Sequence, residues 1–357
     1  MKIFFSGGGT LGPVTPLLAM REMLQHVHPD IEYRWVGTKR GPEAAIVKEQ
    51  GIPFITLSSG KFRRYISIWN VVDIVRVIIG FFQSLRLLWR EKPDVCITAG
   101  AFISVPLHCA AWVLGIPCWV HQQDVRIGLA NKLIAPFATK ITTALKRQVI
   151  SFNKKKTEWL GNPVRPSLFQ ATKEDGRKRL QLKDDMPVIF ATGGGTGSQR
   201  VNQLIVEAVG QLTGKAQVIH LTGKERSQEL AERAQKHARD YHVYQFFTNE
   251  MKDAYAAADI IISRGGFGTI TEIAAFGKPA ILIPKPGHQD ENVQFLQDQG
   301  AVLCLNERTS DGNQLAKVIR QLLEDAPRQK TMVDKLSVLM PCAKEEDIFR
   351  ILHALTG

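Results

Sequence analysis

Residues 263–272, SRGGFGTITE, place two kinds of binding chemistry on one element. The apolar run 260–262 reads as a strand, Arg264-Gly265-Gly266 as a tight turn, and the residues from Phe267 onward as a helix. Backbone N–H groups at a helix start, here Phe267, Gly268 and Thr269, have no partner inside the helix. They point at whatever lies in front and favour an anion such as a diphosphate. Glu272, about one turn further on, can accept two hydrogen bonds from vicinal ribose hydroxyls. An anion and a diol recognised on one element suit a nucleotide. The blander reading of Glu272 is an acid that complements the helix dipole. After the next apolar run, 280–283, the segment GHQDENVQFL offers His288, Gln289, Asp290 and Asn292. Their amide and imidazole groups can read sugar hydroxyls, although a plain polar helix start looks the same.

Three more glycine clusters repeat the pattern. SGGGTLGPVTP follows the first apolar run, and its Gly7-x-Gly9-x-x-Gly12 matches the dinucleotide fingerprint. That fingerprint also needs an acid at the end of the second strand, and here the strand ends Val36-Gly37-Thr38. The nicotinamide reading therefore fails. TAGAFISVP spans 98–106 and ATGGGTGSQRVNQ spans 191–203. Glycines there either tighten strand–helix turns or let backbone amides approach a phosphate.

The elements that carry these loops alternate strand and helix throughout. Apolar runs at 3–5, 33–36, 95–98 and 118–121 form one series; 188–192, 218–222, 243–247, 260–263, 280–283 and 302–305 form a second. Such alternation predicts an α/β protein with two doubly wound parallel sheets in tandem, facing each other across a cleft. Breakers Gly161, Pro163 and Pro166 place the boundary. The expected division is 1–162, 163–340 and a C-terminal helix at 341–357.

Composition narrows the class. Of 357 residues, 44% are hydrophobic and 22% charged, as in a water-soluble fold, and the net charge of +12 calls for an anionic partner. No nucleic-acid reading motif is present. Five cysteines without a C-x-x-C pair argue for a reducing compartment and against a disulfide framework or structural zinc. The first apolar run is too short for a signal peptide, and no run of 18 apolar residues would span a membrane. The segment 61–90 carries six Lys or Arg against one Asp and is rich in Ile, Val, Phe and Trp. That mix suits docking on an anionic leaflet, or a helix packed on the sheet with one face outward.

Taken together, these motifs resemble the MurG family of bacterial peptidoglycan N-acetylglucosaminyltransferases, which have the GT-B fold. The likeness runs from Gly8 to about Asn306. GGTLGPVTP is similar to that family's G-G-T-G-G-H-x-x-P loop, GAFISVP to G-G-Y-x-S-x-P, and GIPCWVHQQD to G-I-P-x-x-x-H-E-Q-N. GNPVRP, GGGTGSQRVN, SRGGFGTITEIAAFGKPAILIP and HQDEN resemble its second-domain motifs. The resemblance implies inverting transfer of N-acetylglucosamine from UDP-GlcNAc to the C4 hydroxyl of an undecaprenyl-diphosphate-linked muramoyl-pentapeptide. It implies a peripheral protein on the cytoplasmic face of the bacterial plasma membrane. No D-x-D pair stands out, so no cofactor is required; a divalent cation is possible but not indicated.

By the same likeness, Arg264, Phe267, Gly268, Thr269, Ile270, Thr271 and Glu272 would hold UDP, with Glu272 on the ribose. Phe247 and Thr248 would face the uracil, Arg165, Gly195 and Thr196 would touch the nucleotide, and Gln289 would read the GlcNAc hydroxyls. Thr10, Leu11, Gly12 and Asp124 would complete the sugar site. Gly100, Ala101, Phe102, Ser104, Gln122 and Gln123 would face the acceptor. The sequence departs from the family pattern where Pro13 replaces a histidine that is one candidate base. H-E-Q-N has become His121-Gln122-Gln123-Asp124, Leu11 and Ala101 replace glycines, and Gly195 stands where serine is common. Asp124 is the expected general base, with His121 second. The alternatives are a transferase for another UDP-sugar or lipid acceptor, and a non-catalytic UDP-sugar- or lipid-binding relative.

Overall fold

The computed structural model describes residues 1–60 and 68–357, of which 68–72 by backbone alone. Lys61, Arg63 and Arg64 of the basic segment lie outside the described residues. The chain divides into two compact units, Met1–Arg165 joined by Cys342–Gly357, and Pro166–Pro341.

The first unit holds strands β1 (Lys2–Ser6), β2 (Glu32–Gly37), β3 (Phe54–Thr56), β4 (Val95–Thr98), β5 (Cys118–Gln122), β6 (Lys140–Thr143) and β7 (Thr157–Trp159). They form one parallel sheet in the order β3-β2-β1-β4-β5-β6-β7. Strand β1 reads Ile-Phe-Phe without polar alternation because helices cover both of its faces. Ile3 and Phe5 enter one core with Leu17 and Met20 of helix Thr15–Val27. Phe4 enters the opposite core with Leu88 of helix Ile68–Glu91 and Leu107 of helix Ser104–Val113.

The last helix, Glu345–Thr356, belongs to this unit although it closes the chain. Ile348, Ile351 and Leu352 complete the Ile3–Phe5 core, and Phe349 stacks on His28 at 4.5 Å. Ala343 N–H donates to Asn162 O at 2.9 Å, tying the returning chain beside its exit point.

The second unit holds β8 (Val188–Thr192), β9 (Gln217–Leu221), β10 (Tyr241–Tyr244), β11 (Ile260–Ser263), β12 (Ala280–Leu282) and β13 (Leu303–Cys304). All pair in parallel, in the order β10-β9-β8-β11-β12-β13. Strand β10 starts two residues earlier than the apolar pattern predicts. Tyr241 stacks on His220 and is buried, so the core-facing residue is the tyrosine. Three short strands, β3, β6 and β7, were not expected from the sequence.

Strand order reverses between β1 and β4 in one sheet and between β8 and β11 in the other. In open α/β sheets a crevice opens at the carboxyl ends of the strands at such a switch point. All four glycine clusters follow these four strands. The fold therefore delivers one pair of glycine loops to each switch point.

Three buried histidines stiffen the two sheets: His108 lies against the end of β1, His121 sits on β5 and His220 on β9. His108 Nε2 lies 3.1 Å from Ser6 Oγ at the end of β1, and burial holds its pKa down at about 3. His220 accepts from Tyr241 Oη–H at 2.6 Å and donates to Asn202 Oδ1 at 3.1 Å; burial lowers it to about 3. His121 is lowered to about 4, again by burial. The unfolded chain takes up protons on these rings near pH ~6.5, whereas the native state stays neutral until far lower. Their contribution is therefore complete above pH ~6.5 and is lost as the pH falls toward 4 and then 3. Each ring accounts for about 1.4 kcal/mol per pH unit in that window. The urea midpoint should drop between pH 7 and pH 5, and drop less steeply in His220→Gln. Identical slopes for the two proteins would contradict a neutral buried His220.

Candidate active site

In the second unit the helix Phe267–Ala275 begins directly after β11, with Gly266 as N-cap and no side chain capping its first-turn amides. Phe267, Ile270 and Thr271 are buried, and Thr271 Oγ1 donates to Phe267 O at 2.8 Å. Of these, Phe267 can offer a ligand its backbone N–H, whereas Ile270 N–H already donates to Gly266 O at 3.1 Å. Gly268 and Thr269 are half-buried. Glu272 lies on this helix with 9% exposure, and its Oε2 accepts from Tyr255 Oη–H at 2.7 Å. Tyr255 is fixed by Phe276, stacked at 5.0 Å, and by Phe190, edge-on at 5.3 Å. An aromatic block therefore sets the carboxylate's position before any ligand arrives.

Gln289 reaches the same helix start from the helix His288–Asp298. Its Oε1 accepts from Lys285 N–H at 3.1 Å, and Asn292 Nδ2 donates to Gly265 O at 3.3 Å. Gly265 has to be glycine: an added Cβ would stand 2.5 Å from Val293 Cγ2 and 2.9 Å from Gln289 O. Arg264 also has a structural role: its guanidinium is paired with Glu307 and donates to Ile283 O at 3.0 Å, so it braces the loop.

The remaining donor-side positions fall on neighbouring strand ends. Gly195 and Thr196 lie in the loop after β8, which closes by Gly197 N–H to Gly194 O at 3.0 Å, with Ser198 capping the next helix. Phe247 is buried against Tyr244 at 4.6 Å. It lines a cavity of about 480 Å³ with Arg179, Phe246 and Glu250. Thr248 is exposed, and its backbone N–H points to Glu250 Oε2 at 3.3 Å. Arg165 is the last residue of the first unit's main segment.

In the first unit the two glycine loops are already answered from within. Glu43, fully buried, accepts from Gly9 N–H at 3.1 Å, from Thr38 N–H at 2.7 Å and from Thr38 Oγ1–H at 2.5 Å. A Cβ at Gly8 would fall 2.2 Å from Glu43 Oε1, so the carboxylate fills the loop's hollow. Below the second loop, Thr98 Oγ1 accepts from Gly100 N–H at 3.0 Å and lies 2.8 Å from Ser104 Oγ. Ser104 is wholly buried in that network. It holds the loop and offers an acceptor nothing, contrary to expectation. Ala101 keeps the left-handed conformation, φ 85°, that its glycine counterpart in the resembled motif adopts freely. A side chain held there costs on the order of 1–3 kcal/mol, which the Thr98 network sustains.

His121 is likewise corrected. Trp119 Nε1–H donates to Thr142 Oγ1 at 2.9 Å, Thr142 donates to His121 Nδ1 at 2.9 Å, and His121 Nε2–H donates to Asn162 Oδ1 at 2.8 Å. Both ring nitrogens are spent, and the ring has no exposure. It cannot take a proton from a substrate hydroxyl. Asp124 is half-buried, and its backbone carbonyl accepts from both Gln122 Nε2, at 2.8 Å, and Gln148 Nε2. It lines a cavity of about 120 Å³ whose wall includes Pro13, Ala101, Gln122, Gln123 and Asn131. Four of the departures from the family pattern, Pro13, Ala101, Gln122 and Asp124, therefore share one chamber. Thr10 and Gly12 are exposed beside it, Leu11 and Phe102 half-buried. Gly12 O accepts from Gln123 Nε2 at 2.7 Å.

Sequence reasoning missed Glu43, Tyr255, Gln148 and Asn131. Each is remote in sequence from the loop it fixes or lies on a helix with other apparent work. Only Asn131, in the LANK segment that follows HQQD, carried a sequence signal.

Comparison with known proteins agrees with this geometry. Residues 3–143 match the glycosyltransferase family 28 N-terminal domain, and residues 188–346 the family 28 C-terminal domain. The chain is 33% identical to a Clostridium botulinum UDP-N-acetylglucosamine–N-acetylmuramyl-(pentapeptide) pyrophosphoryl-undecaprenol N-acetylglucosamine transferase over 91% of each. It is 35% identical to the Halothermothrix orenii enzyme of the same name over 93% of each. Among solved structures, Acinetobacter baumannii MurG superposes with a TM-score of 0.75 at 23% identity, covering 99% of each chain. The calicheamicin glycosyltransferase CalG4 superposes at 0.73 and 12% identity, over 99% of this chain and 98% of that one, which attests the shared fold. The two Rossmann-like units, the glycine loops at both switch points and this kinship make the chain a glycosyltransferase of family 28 and a member of the MurG family.

Proposed function

We infer that the protein transfers N-acetylglucosamine from UDP-GlcNAc to the C4 hydroxyl of a muramoyl-pentapeptide carried on undecaprenyl diphosphate, with inversion at the anomeric carbon. The observation that carries this reading is the uncapped helix start at the β8–β11 switch point, with Glu272 held one turn in by Tyr255. In the reaction the hydroxyl oxygen attacks the anomeric carbon, the bond to the diphosphate breaks, and UDP leaves with the electron pair. Helix amides from Phe267 to Thr269 face the developing charge on the diphosphate without reorganising. Glu272 accepts from the ribose hydroxyls. Gln289 and the loop at Gly195 and Thr196 orient the sugar and phosphates. The acceptor hydroxyl must lose its proton, and Asp124 is the group we assign to take it.

The lipid-linked acceptor explains the first unit's surface. None of the described helices is long and apolar enough to cross a membrane. The helix Ile68–Glu91 nevertheless exposes Ile74, Val75, Ile78, Ile79, Phe82 and Trp89, while Asp73, Gly80, Ser84 and Leu88 face inward. Arg76, Arg86 and Arg90 are exposed on the same helix. An apolar stripe flanked by cations fits a protein lying on an anionic leaflet, here the cytoplasmic face of the plasma membrane.

Incubation with UDP-GlcNAc and a short-chain lipid acceptor should yield a lipid-linked disaccharide and UDP; its absence would sink the reading. Glu272→Ala should weaken UDP binding by about 1–3 kcal/mol, the scale for a buried polar partner left unmatched. Calorimetry that finds unchanged UDP affinity would remove the ribose assignment. Asp124→Asn should preserve UDP affinity and slow single-turnover transfer by about 100- to 10,000-fold. Undiminished turnover would make Asp124 a sugar-binding residue. Ile78→Ser with Phe82→Ser should release the protein from anionic vesicles, each side chain contributing about 1.5–3 kcal/mol when buried in lipid. Vesicle sedimentation that matches the wild type would place the docking surface elsewhere.

A further inference from the structure

The carboxylate assigned to the ribose is held from behind by a buried phenol. Tyr255 is 1% exposed, and its Oη–H donates to Glu272 Oε2 at 2.7 Å. The ring is gripped on two sides. Phe276 stacks on it at 5.0 Å with the planes 12° apart, and Phe190 of β8 meets it edge-on at 5.3 Å and 83°. Phe276 is covered in turn by Phe169, stacked at 5.2 Å. The last torsion of a glutamate side chain has only a broad preference, so an untethered carboxylate swings about it. Here one oxygen is anchored to a fixed phenol, which sets the plane of the group. A carboxylate offers about four acceptor positions, so this bond does not by itself exhaust it.

The place of Tyr255 in the chain adds a second constraint. It lies on the helix Met251–Ala257, which begins just after Phe247 and Thr248. The loop expected at the base and the phenol behind the ribose carboxylate therefore belong to one element. That element is clamped. Asp253, 2% exposed, accepts from Arg179 Nη1 at 3.4 Å on each oxygen. Gly176 lies so close to Asp253 O that an added Cβ would stand 2.4 Å from it. A vicinal diol needs two acceptor oxygens in register at the same moment. A carboxylate that must first be ordered gives up part of that affinity, and one already fixed does not.

We propose that Tyr255 is a positioning residue which, acting through Glu272, makes the donor site select a ribonucleotide over a deoxyribonucleotide. The proposal rests on the transferase reading above and on Glu272 as the ribose acceptor. It places the source of selectivity on a buried group behind the contact. A carboxylate fixed in register with a diol loses much of its hold when either hydroxyl is missing, whereas a mobile one re-forms a bond with whichever hydroxyl remains. Without the phenol, binding is both weaker and less particular about the sugar.

The test measures the affinity of the full chain for UDP, 2′-deoxy-UDP and 3′-deoxy-UDP by calorimetry, in wild type and in Tyr255→Phe, which keeps the aromatic stack and removes only the hydroxyl. Wild type should prefer UDP over each deoxy analogue by about 10- to 100-fold, the scale of one hydrogen bond to a charged acceptor. In Tyr255→Phe, UDP should bind about 5- to 20-fold more weakly and the preference should shrink below about threefold, because the two losses couple. In transfer to a short-chain lipid acceptor the KM for UDP-GlcNAc should rise by the same factor, while kcat and the acceptor KM stay within about twofold. Thermal melting checks the fold. Should Tyr255→Phe not fold, Phe276→Leu, which loosens the ring and keeps the phenol, takes its place with the same narrowing expected. A preference unchanged in the variant overturns the proposal. So does weakening of UDP and both analogues by one common factor, the mark of a merely structural tyrosine. Wild type that binds all three nucleotides alike removes Glu272 from the ribose, and the proposal with it. No disaccharide from wild type overturns the transferase reading instead, and the calorimetry still decides the role of Tyr255.

Discussion

A parallel strand that ends in a glycine turn presents backbone amides to the crevice beyond it, and each amide needs an acceptor. The two units answer this demand differently. In the first, the chain supplies acceptors itself, from Glu43 and Thr98. In the second, the helix start after β11 has no side-chain cap. One architecture used twice thus yields first-unit loops in which Gly9 and Gly100 N–H are satisfied from within, and a second-unit helix start at Phe267 whose N-cap is glycine.

Much of this was legible in the sequence, for definite reasons. The four glycine clusters mark the strand ends at the switch points because a close turn there tolerates little else, as Gly265 shows against Val293 and Gln289. The long apolar runs gave most of the central strands. The short edge strands escaped: KITT and TEW hold too few apolar residues to show a period. The ends of β10 and β13 shifted because burial follows individual side chains such as Tyr241, not the run as a whole.

Site residues were legible by type and much less by role. Glu272 stood out because a carboxylate one turn past an anion-binding helix start can accept from a diol, but its aromatic support through Tyr255 depends on a neighbouring helix. His121, Arg264 and Ser104 looked like reacting or contacting groups because of their chemistry. Each is consumed by a partner that sequence spacing does not reveal: Thr142 with Asn162, Glu307 with Ile283, and Thr98. The chamber beside Asp124 shows the converse. Its replaced residues looked like separate losses, and in space they are one surface that exchanges a histidine for a proline and moves a carboxylate from position 122 to position 124.

The closing helix, returned to the first unit, has a consequence for how the molecule is made. The core around Ile3 and Phe5 lacks Ile348, Ile351 and Leu352 until the helix Glu345–Thr356 has been synthesised. The second unit is contiguous in sequence from Pro166 to Pro341 and has all its strands and helices in hand before then. During translation the order of completion is therefore inverted: the domain made first finishes last. Until Glu345–Thr356 has been made, the apolar core between this sheet and helix Thr15–Val27 stays incomplete, in a chain that also exposes Ile, Phe and Trp on the helix Ile68–Glu91. A chain stalled before Glu345 would present both apolar surfaces at once, which makes this helix the step that separates an aggregation-prone nascent chain from one with a closed first core.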